Sequence, residues 1–202
     1  MQQFFSTLIL LCFFSYSSVA ERPKDARSLV SHFQEELLEV MKAAENLGVE
    51  GRYAKLAPTL NGTFHLPIMM RIAAGKYWGE TNTNQRARLV SAFRKMSIST
   101  LATLFSGYSG EKFEFVAERP GIQAKTRIVS TKLVKSDGEE VDIAYVAAKV
   151  DAEWWLIDVI IDNGISELKV RISEYDTILN ESGPEGLIKV LESKSKQLIA
   201  ME

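Results

Sequence analysis

From Asp25 to Leu47, apolar side chains fall at Leu29, Phe33, Leu37, Met41, Ala44 and Leu47, in steps of three and four. That period places them on one stripe of an α-helix, and Gly48 is its expected stop. Pro67 opens a short helix through Met69, Met70, Ile72 and Ala73, which Gly75 and Trp78 end. Asn82 followed by Gln85 has the form of a capping box. After it, Leu89, Phe93, Met96, Leu101, Leu104, Phe105 and Tyr108 carry helical faces as far as Gly110.

The period then shortens to two. Phe113, Phe115 and Ala117 alternate with Glu114, Val116 and Glu118, and Pro120-Gly121 supplies a turn. Gln123 to Val134 is rich in β-branched residues, Ser136-Asp137-Gly138 reads as a hairpin loop, and Val141 to Val150 resumes the alternation. Val141, Ile143 and Tyr145 share one face of this third strand, with Ala144, Val146, Ala148 and Val150 on the other. The fourth strand, Trp154 to Ile161, puts Trp155, Ile157, Val159 and Ile161 on one side and Trp154, Leu156 and Ile160 on the other, with Asp158 as the polar exception. Strands apolar on both sides need cover on both sides. Ser166 caps a helix through Leu168, Ile172, Tyr175 and Leu179, and Ser182-Gly183-Pro184-Glu185 opens a last one through Leu187, Ile188, Leu191 and Leu198. The fold class is α+β: a twisted antiparallel sheet of about four strands, wrapped by N-terminal and C-terminal helices.

Residues 1–20 change the account of where the protein works. They carry no charged side chain, and Phe4 to Phe14 is densely apolar, ending towards Ser18-Val19-Ala20. The run is shorter than the roughly 20 apolar residues a membrane span needs, and fits a cleavable export signal cut after Ala20. A single domain over 21–202 remains. Cys12 is the sole cysteine and follows Leu11, which argues against lipidation. Removing it excludes disulfides and thiol chemistry from the mature chain.

Charge and chemistry mostly remove possibilities. The 24 Lys and Arg against 26 Asp and Glu leave a formal net charge of −2, without the positive excess that nucleic acid binding needs. The two histidines, His32 and His65, stand apart, so no metal and no other cofactor is expected. Gly107-Tyr108-Ser109-Gly110 follows a helix rather than a strand and is a loop, not a nucleophile elbow. There is no glycine-rich phosphate cradle. Asp158 is the one candidate for acid catalysis; its alternative is a strand carboxylate bonded to backbone N–H groups or an arginine. Residues 81–110 contain Arg86, Arg88, Arg94 and Lys95 and no acidic residue. This is either a solvated helix face or a docking surface, in which Arg86 and Arg94 would meet a partner.

Several strings together carry a resemblance. Phe64-His65-Leu66-Pro67-Ile68-Met69, Trp78, Asn84-Gln85-Arg86, Phe105 to Glu111, Trp154 to Val159, Gly164-Ile165-Ser166 and Gly186-Leu187-Ile188 make the chain similar to the MlaC family of periplasmic lipid carriers, also called toluene-tolerance or ABC-transporter auxiliary proteins. Phe105 to Glu111 and Asp162 to Leu168 resemble the hopanoid-associated HpnM branch. Two positions depart from the family pattern: His65, where Asp is common, and Trp155, where a polar residue is usual. The resemblance implies a non-enzymatic shuttle, working as a monomer in the periplasm, that carries a phospholipid or hopanoid-type lipid between membrane-anchored complexes. Tails would lie in an apolar pocket enclosed by sheet and helices. The lining expected for it is Leu104, Phe105, Phe113, Phe115, Ile143, Tyr145, Trp154, Leu156, Ile157 and Val159. A hydrolase using Asp158 and a structural adaptor of an envelope complex are the alternative readings.

Overall fold

The computed structural model describes residues 22–162 and 164–200; the expected export signal and its cleavage site lie outside them. Helix α1 (Ala26–Lys42) begins at a capping box, the Asp25 carboxylate accepting from the Ser28 N–H at 2.7 Å. It buries Leu29, Val30, Phe33, Leu37 and Val40 along one stripe. Gly48 interrupts the helical run as expected, and a further break lies before it at Ala43. α1 stops at Lys42, and α2 (Ala44–Thr63) is two helical pieces joined at Gly48, where φ is 58°. α2 contains Gly51, Pro58 and Gly62, residue types that weaken a helix, yet Arg52, Leu56, Leu60 and Thr63 form a buried stripe at helical spacing. Arg52 is tolerated there because its Nε donates to the Ala102 carbonyl at 2.6 Å and its Nη1 to that of Ala44 at 3.3 Å.

α3 (Leu66–Ala74) leads into a 3₁₀ turn (Gly75–Glu80), and α4 (Thr83–Leu104) opens on the expected box, Asn82 accepting from the Gln85 N–H at 2.9 Å and Gln85 from that of Asn82 at 3.1 Å. His65 explains its own departure. Its Nδ1 accepts from the Ile68 N–H at 3.2 Å, so the imidazole caps α3 as an aspartate would.

Among the described residues, five strands, β1 (Lys112–Pro120), β2 (Thr126–Val134), β3 (Glu140–Val150), β4 (Glu153–Ile161) and β5 (Ile165–Ser166), form an antiparallel meander in chain order. The two-residue β5 is the strand the alternation pattern was too short to reveal. α1 lies over one face: Phe33 meets Tyr145 edge-on with centroids 6.1 Å apart, and Gln34 donates to the Thr131 hydroxyl at 3.0 Å and the Tyr145 hydroxyl at 3.4 Å. On the other face Ile128 is buried, and Ala144, Val146, Ala148, Trp155 and Ile160 are half-buried.

β4 departs from strict alternation. Val146 lies opposite Asp158 but Ala147 opposite Leu156, so Ile157 is an extra residue in a bulge. Trp154, Leu156 and Val159 therefore share the helix-covered face with Tyr145 and Ala147, instead of Val159 standing opposite Leu156. Beyond β4 the chain at Phe64 makes a parallel bridge with Leu156, and the His65 N–H donates to the Leu156 carbonyl at 2.9 Å. Phe64 turns inward onto Phe33, with centroids 5.1 Å apart, and His65 turns onto Trp155 at 5.3 Å. Arg22 stacks 3.9 Å above the same Trp155 ring, which accounts for an aromatic residue there.

α5 (Glu167–Ala200) is two helices joined at Gly183, where φ is 64° and Pro184 begins the second. Its second half lies on α4, where Ser99 and Ser195 share a buried hydrogen bond of 2.8 Å.

Candidate functional site

An apolar cavity of about 140 Å3 lies where α2, α3, α4, α5 and β4 converge. Leu60 and Phe64 come from the end of α2, Leu66 and Met69 from α3, and Val159 from β4. α4 contributes Phe93, Met96, Ser97, Thr100 and Leu101 along one helical face. Ser97 and Thr100 do not make that wall polar. Their hydroxyls donate back to the Phe93 and Met96 carbonyls, both at 2.9 Å, so carbon faces the space. α5 supplies Glu167, Leu168, Arg171 and Tyr175.

Charge enters only from α5. Arg171 is paired with Glu167 at 3.6 Å and with Glu174 at 3.0 Å, with its side chain 27% exposed. Tyr175 is 3% exposed, and burial pushes its phenol up to about 12. Met69 and Met96 are unbranched and adaptable, the residue type that accommodates changes of wall shape. A volume of this size suits a benzene-sized guest, so a whole acyl chain requires the helices to part.

Asp158 sits at the first turn of α5. Its Oδ1 accepts from the Val159 N–H at 2.8 Å and the Leu168 N–H at 2.9 Å, and its Oδ2 accepts from the Ser166 hydroxyl at 2.6 Å. The Ser166 oxygen in turn accepts from the Lys169 N–H at 3.0 Å. A carboxylate with both oxygens engaged in capping is a structural group. Among the described residues, no three His, Cys, Asp or Glu side chains gather as a metal ion would require, and no helix is long and apolar enough to cross a membrane.

Of the lining expected from sequence, Val159 borders this cavity. Leu156 is buried in the core beneath it, and Tyr145 lies under α1. Phe105, Phe113, Ile143 and Trp154 are half-buried and packed on the same core, and Ile157 is half-buried in its bulge. Leu104 is 66% exposed, and Phe115 is 42% exposed beneath the Arg27 guanidinium, 3.8 Å above its ring. The cavity's other walls were visible only as helical stripes: Phe93, Met96, Leu101, Leu168 and Tyr175 recur at helical spacing without saying which neighbour they face.

The basic segment is divided among different tasks. Arg86 is half-buried, its Nε donating to the Thr81 hydroxyl at 3.1 Å and its Nη2 to the Trp78 carbonyl at 3.0 Å, which ties the 3₁₀ turn to α4. Arg88 pairs with Glu185 at 2.9 Å. Arg94 is half-buried, and its Nε has no hydrogen-bond partner among the described residues.

Comparison with known proteins gives two findings. A family model described as MlaC protein matches residues 31–193. A phospholipid-binding protein from Ralstonia solanacearum, solved in complex with a phospholipid, has the same fold at a TM-score of 0.76 and 18% identity, over 86% of this chain and 98% of that one.

Proposed function

The chain belongs to the MlaC family, lipid carriers rather than enzymes, and from that membership we propose that it shuttles phospholipid between membrane-anchored complexes. The observation that supports this most directly is the cavity between α4, α5 and β4, whose wall is carbon apart from the polar side chains of α5. Tails enter there and the headgroup stays at the α5 end. Each CH₂ withdrawn from water contributes about 0.8 kcal/mol, which is the driving force available to part the helices. The half-buried aromatic residues Phe105, Phe113 and Trp154 border the core into which an enlarged cavity would extend. The periplasm is the proposed location, supported by the export-signal pattern of residues 1–20. Arg94 is the proposed docking contact of the basic segment, acting in a monomer; Arg86 would join it only by releasing Trp78.

Phospholipid is the cargo we favour, because the structural neighbour with this fold was solved with one. The strings at 105–111 and 162–168 are the support for a hopanoid-type lipid. Lipid extraction and native mass spectrometry of protein purified without detergent test both readings. Co-purifying phospholipid is the expected result. A hopanoid would reassign the cargo, and lipid-free protein that takes up none from vesicles would refute the carrier.

A further inference from the structure

Glu167, Arg171 and Tyr175 line the cavity from one helix at steps of four residues. Four residues advance an α-helix by about 6 Å, so the three side chains make a polar ladder along an otherwise carbon wall. Glu167, with 41% of its side chain exposed, stands at the solvent end of α5, and Arg171 follows at 27%. Tyr175 is deepest, 3% exposed, with its ring edge-on to Phe93 at 6.4 Å.

Tyr175 lines the cavity, and no side-chain hydrogen bond ties its hydroxyl to another described residue; the hydroxyl is not a sealed, unpaired atom and retains access to open space. As a phenol it is protonated, hence able to donate, at neutral pH. Arg171 is held between two carboxylates, so its guanidinium is oriented but over-neutralised: one cation faces Glu167 and Glu174. A ligand bringing only negative charge meets that surplus of carboxylate, whereas one bringing a phosphate and an ammonium satisfies both signs.

We propose that this ladder is a headgroup site selecting zwitterionic amine phospholipids over anionic ones. Glu167 accepts from the ammonium, Arg171 donates to the phosphate, and Tyr175 donates to an ester oxygen of the glycerol beneath. The order along the helix is the order of these groups along the lipid. This inference rests on the carrier reading above.

The test is to incubate the full chain with vesicles of equal phosphatidylethanolamine and phosphatidylglycerol, re-isolate the protein and quantify bound lipid by mass spectrometry. The wild type is expected to enrich phosphatidylethanolamine roughly threefold, the scale of one half-exposed ion pair. Glu167→Gln should bring the bound ratio back towards that of the vesicle, and Arg171→Gln should weaken uptake of both classes. Lipid bound without class preference, or a ratio unmoved by Glu167→Gln, overturns the headgroup site while leaving the carrier intact. No uptake of either lipid by the wild type overturns the carrier itself. Should Arg171→Gln fail to fold, the half-exposed Glu167→Gln variant still decides.

Discussion

Asp158 and Leu168, ten residues apart in the chain, are joined by a 2.9 Å hydrogen bond from the Leu168 N–H to the Asp158 carboxylate. The same carboxylate holds the Ser166 hydroxyl, so one strand residue anchors the first turn of the helix that carries Glu167, Arg171 and Tyr175. Asp158→Ala is expected to lower stability by about 1–3 kcal/mol, the cost of a lost cap plus unpaired buried donors. Urea unfolding measures it. Unchanged stability would show that these hydrogen bonds do not anchor the start of α5.

Val159 projects into the cavity from β4. Val159→Phe fills part of the roughly 140 Å3 and is expected to reduce co-purifying lipid several-fold without lowering the melting temperature, since filling a void commonly adds about 0.5–2 kcal/mol. Lipid content equal to wild type would move the tails out of this cavity.

Arg86 bridges α4 to the carbonyl of Trp78 and the hydroxyl of Thr81. Arg86→Ala should cost about 1.5–3 kcal/mol, as charged hydrogen bonds do, and increase proteolysis around Gly75–Glu80. Reversal of Arg94 should slow association with a membrane partner at low salt and leave that stability nearly unchanged.

Tyr145 and Tyr175 are both pushed up to about 12 by burial. Because the folded-state value lies above the unfolded value near 10, the contribution is fully present below pH 10 and is lost as pH rises through about 12. Unfolding followed by circular dichroism should coincide with tyrosinate absorbance in that window. Tyr145→Phe and Tyr175→Phe should each remove part of the transition.

The β3–β4 hairpin turns through Asp151 and Ala152, at φ of 48° and 69°. Glycine is at ease there and a Cβ costs about 1–2 kcal/mol. Ala152→Gly should therefore raise the denaturation midpoint.

Much of the local structure was legible from the chain alone. Asp25, Asn82 and Ser166 mark helix starts because a cap is decided within three or four residues, the β1 and β3 spans follow from a period of two that short segments display by themselves, and β2 follows from its β-branched residues. What needed the tertiary structure is whatever depends on residues far apart. α2 persists through Gly51, Pro58 and Gly62 because burial of Leu56 and Leu60 outweighs weak propensity. The bulge at Ile157 brings Val159 round to the face of Leu156, a shift of one residue that periodicity cannot show. Helical spacing identified Phe93, Met96, Leu168 and Tyr175 as apolar or aromatic stripes, but an amphipathic stripe specifies only that something covers it. Which helix covers it, and where packing leaves a space, is settled by contacts between α4, α5 and β4 that have no local signature.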